Sequence, residues 1–365
     1  MRIVLRENVR EAAIRRIRWL FEEFDGEIVV NHSGGKDSTV IFNLALEVAH
    51  ELGCTPLRVC FLDSEAEWQA TIDHMAGDVM YRPDVDPIWI QVPVKMYLGA
   101  SSMMWFQAWD PDARDVWIYD KQPGAFTEIE AERFMDLFGA YAQWAYPDRR
   151  VAKIIGIRAE ESPARTFGVT THEVLKGETW GAVEDKRAGH YTFSPIYDWS
   201  FSDVWKAIHE GGWAYNRLYD LYWQFGFPTR QMRVADLTSG DMSRNSLVLA
   251  ELEPDTYIRL QNRMGPEALE RMETRGWFPD RLPPMFDDWT DYRDYLLENL
   301  VSDDAWRAKM IKRFESGLRR FDPSVHAAMI RMQVGAVLIG DFRGVKQADF
   351  EAAHASDRLV TRNGR

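Results

Sequence analysis

The most constraining stretch of the chain is Ser33-Gly34-Gly35-Lys36-Asp37-Ser38, set directly after the apolar run Ile28-Val29-Val30-Asn31 and before Thr39-Val40-Ile41. A β-branched run, a glycine-rich turn and a second apolar run in that order predict strand, tight loop and helix. Adjacent glycines let a backbone approach a ligand with no Cβ in the way and allow φ > 0. The N–H groups of such a loop, together with the unpaired ones of the following helix start, favour an anion. Lys36 adds a full positive charge, and Ser33 and Ser38 add hydroxyl donors. The expectation is a phosphate cradle in which the amides of Gly34 and Gly35 face the ligand. It is not the G-x-x-x-x-G-K type, because that spacing requires glycine where the chain has Val30.

Bulk properties narrow the class. At 365 residues the chain is long enough for one large domain plus an appendage. A net charge of −13 argues against an extended nucleic-acid-coating surface and leaves room only for a local basic patch. No apolar run approaches the ~20 residues of a membrane helix, and the Arg-containing start lacks a continuous apolar signal core. The expected setting is therefore the cytoplasm, without a membrane. Cys54 and Cys60 form no C-x-x-C pair, which excludes a zinc ribbon or four-thiolate iron–sulfur site within the chain. Cys60, inside Val59-Cys60-Phe61-Leu62, is expected to be a small buried thiol. His172-Glu173 and His209-Glu210 open like H-E-x-x-H, but each lacks the second histidine.

Along the chain, Val9, Ala13, Ile17, Leu20 and Phe24 make a helical stripe over 7–24. A helix after the loop would show Ile41, Leu44, Val48 and Leu52 on one face. Further strands are expected at 58–62, ending in Asp63, at 88–94 and at 152–157. Strands alternating with helices predict an α/β fold, a parallel sheet flanked by helices. Ligands of such sheets sit beyond the carboxyl ends of the strands, where Ser33, Asp63 and Arg158 all fall. The character changes near residue 236, through Thr238-Ser239-Gly240-Asp241. The reading is a nucleotide-binding domain over 1–238 and a mostly helical extension over 239–365. That extension is broken at Pro254, Gly265-Pro266, Pro283-Pro284 and Pro323, has amphipathic or buried helices at 304–318 and 324–340, and frays at its last residues.

Two more segments carry chemistry. Gly156-Ile157-Arg158-Ala159-Glu160-Glu161-Ser162-Pro163-Ala164-Arg165 places two arginines seven apart around a Glu-Ser turn, an arrangement able to clamp a phosphate or to form a solvated ion-pair face. Pro195-Ile196-Tyr197-Asp198-Trp199, Asp203-Val204-Trp205 and Tyr215-Asn216-Arg217-Leu218-Tyr219-Asp220 follow, with Ser202 a candidate helix cap. Trp199, Trp205 and Tyr219 are expected in the core. Glu65 and Glu67 read equally as a charged first helical turn or as part of a site.

These segments resemble the PP-loop, or adenine nucleotide α-hydrolase, superfamily, which includes N-type ATP pyrophosphatases, FAD synthetases and phosphoadenosine-phosphosulfate (PAPS) reductases. The Ser33–Ser38 loop matches S-G-G-K-D-S. Residues 156–165 match the G-x-R-x-x-E-S-x-x-R of the PAPS reductase branch, and 195–220 match its P-I-x-x-W, D-V-W and Y-N-x-L-Y-D in order. The likeness covers about residues 27–230. Two departures stand out. The D-T-G-type turn is replaced by Asp63-Ser64-Glu65-Ala66-Glu67-Trp68, and no Cys follows residue 60, where the reductases carry a nucleophilic Cys in an E-C-G-x-H-like tail. The chain is in this respect similar to cysteine-poor relatives found on mobile elements and beside CRISPR-type operons.

The resemblance implies a Rossmann-like PP-loop fold and an adenine nucleotide ligand, ATP first among them. Sulfonucleotide reduction is not expected. The implied reaction is cleavage at the α-phosphate, yielding AMP and pyrophosphate or passing AMP to an acceptor. Ser33, Gly34, Gly35, Lys36, Ser38, Asp63, Arg158 and Arg165 would bind the nucleotide. Lys36, Asp37, Arg158 and Arg165 would act in catalysis, and Asp37 and Asp63 would hold Mg²⁺. Two alternatives remain at this level. One is a nucleotide-binding accessory protein of a multi-protein system, with the helical extension as lid or docking surface for a protein partner. The other is a nucleic-acid modification enzyme with Arg230, Arg233, Arg259, Arg263 and Arg271 as a basic strip.

Overall fold

The computed structural model describes residues 7–97, 105–229, 232–238, 248–264, 282–301, 303–338, 341 and 344–359. Two compact units divide the chain, one from Met1–Lys95 and Gln107–Asp236, the other from Met96–Phe106 and Leu237–Arg365.

In the first unit Asn8 caps α1 (Val9–Glu23) by a capping box, its Oδ1 accepting the Glu11 amide at 2.9 Å while the Glu11 carboxylate takes the Asn8 N–H. Ala13, Ile17, Leu20 and Phe24 are buried as the stripe requires. Strand β1 (Ile28–Asn31) runs into the glycine loop, and α2 (Lys36–Leu52) follows. Ile41, Leu44 and Val48 are fully buried, whereas Leu52 is exposed because α2 stops there at a left-handed Gly53. Next come β2 (Leu57–Leu62), α3 (Gln69–His74), a wide helical turn over Met75–Met80, and β3 (Val85–Ile90). After a two-stranded ladder of β4 (Val94–Tyr97) and β5 (Trp105–Ala108), whose residues Met96–Phe106 belong to the second unit, come α4 (Leu137–Ala145), β6 (Val151–Ile154), α5 (Pro163–Thr170), β7 (Gly181–Asp185), β8 (His190–Phe193), α6 (Phe201–Gly211) and α7 (Leu218–Gln224).

The main sheet has six strands in the order β3-β2-β1-β6-β8-β7, parallel throughout except for β7, which pairs antiparallel with β8. Chain order therefore runs outward from β1 through β2 and β3 on one side, and from β6 through β8 on the other. The gap between the carboxyl ends of β1 and β6 is the topological switch point, where open α/β sheets place their ligands. The glycine loop leaves β1 at one side of that gap, and the segment bearing Arg158 leaves β6 at the other. Gly156 makes the junction tight: a Cβ there would lie 2.7 Å from the Asp37 carbonyl carbon and 2.9 Å from the Ser38 amide. Only glycine lets the chain after β6 rest against the first turn of α2.

A continuous core joins α1, β1, α2, β2 and α6. Each fully buried Ile, Leu, Val or Phe in it contributes about 1.5–3 kcal/mol. Sequence reading places β1, β2 and β6 near their observed bounds, sets the strand expected at 88–94 late against β3, and misses β4, β5, β7 and β8. Strand β8 spans four residues and carries His190 and Thr192, polar yet buried, which hides its alternation. Ser200, not Ser202, caps α6, accepting the Asp203 amide at 3.2 Å.

The second unit is helical: α8 (Pro254–Met264), α9 (Trp289–Leu300), α10 (Asp304–Arg320), α11 (His326–Leu338) and α12 (Val345–Ala353). Leu296, Leu297, Met310, Phe314, Phe321 and Met329 are among its core. Asp341 caps α12, its carboxylate taking the Gly344, Val345 and Lys346 amides at 3.0, 3.0 and 2.7 Å. The expected break at Gly265-Pro266, the loop at 239–241, Gly340 and the terminal residues lie outside the described residues, as do Arg230 and Arg271. Among the described residues no helix is long and apolar enough to cross a membrane.

Candidate functional site

Gly34 adopts φ +73°, and a Cβ on it would stand 2.6 Å from the Thr71 methyl carbon. Gly34→Ala would meet both a left-handed backbone, at about 1–2 kcal/mol, and that clash. We expect a clearly lowered midpoint in thermal unfolding and a loop that no longer binds anions, read by calorimetry.

The loop is held from several directions. Ser38 Oγ accepts the Ser33 amide at 3.2 Å, lies 3.1 Å from Ser33 Oγ and donates to the Gly35 carbonyl at 2.8 Å. The Gly34 amide donates inward to His32 Nδ1 at 3.0 Å, and the Lys36 amide donates to the Tyr219 hydroxyl at 3.0 Å. This corrects the sequence expectation for Gly34: its N–H supports the loop from beneath instead of facing a ligand. The amides of Gly35, Asp37 and Ser38 take no acceptor among the described residues outside the helix itself.

Above the loop stands a compact charge cluster. Lys36 Nζ donates to Asp37 Oδ2 at 2.8 Å, and Arg158 Nε donates to Asp37 Oδ1 at 2.6 Å. Lys36 and Arg158 are both nearly buried. Arg158 also reaches Glu160 Oε2 at 3.3 Å and the Trp199 carbonyl at 3.4 Å. Its amide donates to Glu161 Oε2 at 3.2 Å, and that carboxylate is ion-paired with Arg165. Arg165 is thus one step out from the cluster and about half exposed. A cavity of about 250 Å³ opens over these groups, lined by Lys36, Arg158, Glu160, Glu161, Phe201, Thr229, Met232 and Arg233. Burial lowers the Lys36 pKa first; Asp37 pulls it back up, while Arg158 and Arg233 push it down. Arg165 is likewise lowered by burial and then by Arg233. Four cations therefore share one field, with space between them for an anion to enter.

Two members of this cluster escape sequence reading in their present roles. Arg233 reads there as part of a nucleic-acid strip; in the fold it belongs to the cavity, while Arg259 and Arg263 lie on α8 of the other unit. Tyr219 reads as core and is indeed buried, yet its hydroxyl holds the first amide of α2. Lys36 Nζ lies 5.8 Å from the ring centres of both Tyr219 and Phe201.

Asp63 stands apart. It is fully buried, and its carboxylate accepts from Trp89 Nε1, Gln91 Nε2 and the Tyr119 hydroxyl, each at 2.7 Å, and from the Glu65 amide at 2.9 Å. Four donors saturate it, so the pairing with Asp37 as a cation ligand is corrected: Asp63 braces the turn after β2. Asp37 has one oxygen on Lys36 and the other on Arg158. With Asp63 saturated by four donors and Asp37 tied to two cations, these two carboxylates do not fit a resident magnesium ion held by the protein alone.

Glu65 and Glu67 are buried, and the helix begins only at Gln69, so neither forms an exposed first turn. The Glu65 carboxylate accepts the Trp109 amide at 2.6 Å, and Ser64 Oγ donates to Glu67 Oε1 at 2.9 Å. Burial, then Asp236 and Asp63, raise the Glu67 pKa well above its ordinary 4.5. A raised carboxyl contributes stability below its ordinary pKa and loses it as pH rises through the folded-state value. Glu67→Gln should therefore raise the unfolding midpoint at pH 8 and leave it unchanged at pH 4, as calorimetry at the two pH values would record. Cys60 is buried in β2, its thiol pushed up to about 12 by desolvation, and neither cysteine belongs to the cluster.

The fold and the loop define an α/β protein with a cation-lined glycine loop at the switch point of a parallel sheet. No family model matches the chain. It is 26% identical over 318 residues to the uncharacterized protein YbdN of Escherichia coli (strain K12), covering 82% of this chain and 77% of that protein. It is 23% identical over 214 residues to the adenosine 5′-phosphosulfate reductase of Staphylococcus saprophyticus, covering 58% of this chain and 72% of that enzyme. Among solved structures, Candida glabrata FMN adenylyltransferase bound to FAD and pyrophosphate matches with TM-score 0.36 and 17% identity over 60% of this chain, which spans 63% of that enzyme, under two thirds of it. The phosphoadenylyl-sulfate reductase of Candida auris matches with TM-score 0.33 and 16% identity, over 64% of this chain and 97% of that one.

Proposed function

We propose that the chain binds an adenine nucleotide, ATP first among them, at the Ser33–Ser38 loop and acts at its α-phosphate, giving AMP and pyrophosphate or handing AMP to an acceptor. The observation that carries this reading is the Lys36–Asp37–Arg158 cluster, with Arg165 and Arg233 beside it, over a glycine loop at the switch point. In-line displacement at phosphorus needs positioning and charge neutralisation more than a covalent residue. An oxygen of water or of the acceptor bonds to the α-phosphorus as the bond to the bridging oxygen breaks. Pyrophosphate leaves with the electron pair, and the attacking group releases its proton to solvent. Lys36 and Arg158 neutralise the charge that grows on the leaving group, with Arg233 lining the cavity and Arg165 behind Glu161. Asp37 holds Lys36 and Arg158 at fixed separation. The Ser33 hydroxyl and the Gly35 amide offer donors to phosphate oxygens, while the Ser38 hydroxyl, spent on the Gly35 carbonyl, holds the loop in shape. Magnesium enters as part of the substrate, on the phosphates of the nucleotide.

Adenine is supported by the similarity to the adenosine 5′-phosphosulfate reductase. Reduction is not part of the reading, since Cys60 is sealed in the sheet and Cys54 lies in the connection between α2 and β2. One observation favours the accessory-protein reading as second: both Asp37 oxygens are tied to cations, which leaves that carboxylate poorly disposed to activate water. Titration calorimetry with ATP, GTP and inorganic pyrophosphate tests the binding half. ATP should bind more tightly than GTP and be displaced by pyrophosphate. Failure of both ATP and pyrophosphate to bind would end the proposal.

A further inference from the structure

His32 and His74 lie below the loop with ring centres 5.8 Å apart, both buried, and with both Nε2 atoms lacking a partner among the described residues. Their hydrogen bonds fix the tautomers. The Gly34 amide donates to His32 Nδ1, so that nitrogen is bare and a neutral ring carries its proton on Nε2. Asp78 Oδ2 lies 2.9 Å from His74 Nδ1 and can only accept, so His74 carries its proton on Nδ1 and presents a bare Nε2. The two unpartnered atoms are thus one donor and one acceptor.

We propose that His32 is a positioning residue for the glycine loop, held as the Nε2-protonated neutral tautomer by the Gly34 N–H that its Nδ1 accepts, with His74, itself fixed by Asp78, packed beside it. The inference rests on the phosphate-binding reading of the loop for its consequence, though not for its geometry. Protonating His32 itself adds a proton at Nδ1, which turns a donor toward the Gly34 N–H and releases the loop.

The surrounding charges leave the pair isolated. His32 meets Phe42 of α2 edge-on, and Asn216 ties the Gly34 carbonyl to Thr71 of α3. Arg82 lies over Phe42 but is paired with Asp84, and Asp73 pairs with Arg217 at the surface. Burial lowers both histidines below the ordinary 6.5, with His74 adding to the effect on His32 and Asp78 opposing it on His74. Nucleotide affinity should therefore be level through neutral pH and fall on the acid side.

The test uses the full chain labelled with ¹⁵N-histidine. Long-range proton–nitrogen spectra at pH 7 without ligand should show His32 neutral with its proton on Nε2 and His74 neutral with its proton on Nδ1. His32→Leu strands the Gly34 N–H and should speed its exchange and weaken ATP about tenfold or more. His32→Asn returns an acceptor near the Nδ1 position and should recover most of that loss, without the acid fall of the native protein. A His32 proton on Nδ1, a charged His32 at pH 7, or unaltered Gly34 exchange in His32→Leu would overturn the proposal. The expected tautomers and exchange in a protein that binds no ATP would uphold the positioning role of His32 and overturn the proposed function instead.

Discussion

Lys36→Ala is expected to lower nucleotide turnover by about 100- to 1000-fold or more, the range found when one preorganised donor to a developing charge is removed. The fold should survive. Lys36 is nearly buried, so its ammonium is desolvated, and Asp37 keeps its bond to Arg158 when the lysine is gone. Circular dichroism should show an unfolding midpoint close to the native one, with the loss confined to kinetics. A variant that turns over normally would remove Lys36 from the chemistry.

Arg158→Ala should do the opposite in one respect: it costs stability as well as binding. The guanidinium is nearly buried, and it ties Asp37, Glu160 and the Trp199 carbonyl from a segment more than a hundred residues beyond α2. Lys36 still holds the other Asp37 oxygen, so the loss is that of one buried charged hydrogen bond and of the tie to the Trp199 carbonyl, about 1–3 kcal/mol. That corresponds to a midpoint lower by roughly 5 °C in a unit of this size. Arg158→Lys keeps the charge but not the fork that reaches three partners, and should fall between the two. Thermal unfolding read beside pyrophosphate binding separates the losses. An Arg158→Ala protein with native stability would show that the pair with Asp37 carries no structural weight.

How much of this could be read from residues alone follows from what each feature depends on. The loop was legible because a phosphate cradle needs its glycines, lysine and hydroxyls contiguous in sequence, directly after a strand. Arg158 was legible through its spacing to Arg165 and its place after a β-branched run. Asp63 was legible only as a carboxylate at a strand end. Its saturation by Trp89, Gln91 and Tyr119 depends on β3 lying beside β2 and on a later loop folding back. His32, Tyr219 and Gly156 were hidden for the same reason. Each acquires its role from a neighbour brought close by the β1–β6 pairing, by α7 or by α3. Arg233 was seen only as a charge, since linear charge patterning does not reveal that a cation lines a cavity. Strands β7 and β8 were hidden by composition: β7 is largely exposed and carries Glu184 and Asp185, and β8 buries His190 and Thr192, so neither shows an apolar run.

The central claim is chemistry at the α-phosphate, and the most direct measurement incubates the purified chain with Mg²⁺ and α-labelled ATP and resolves the products by anion exchange. The account predicts labelled AMP with stoichiometric pyrophosphate, or label on an added acceptor, and its loss in Lys36→Ala. Labelled ADP, or ATP recovered intact although bound, would contradict it.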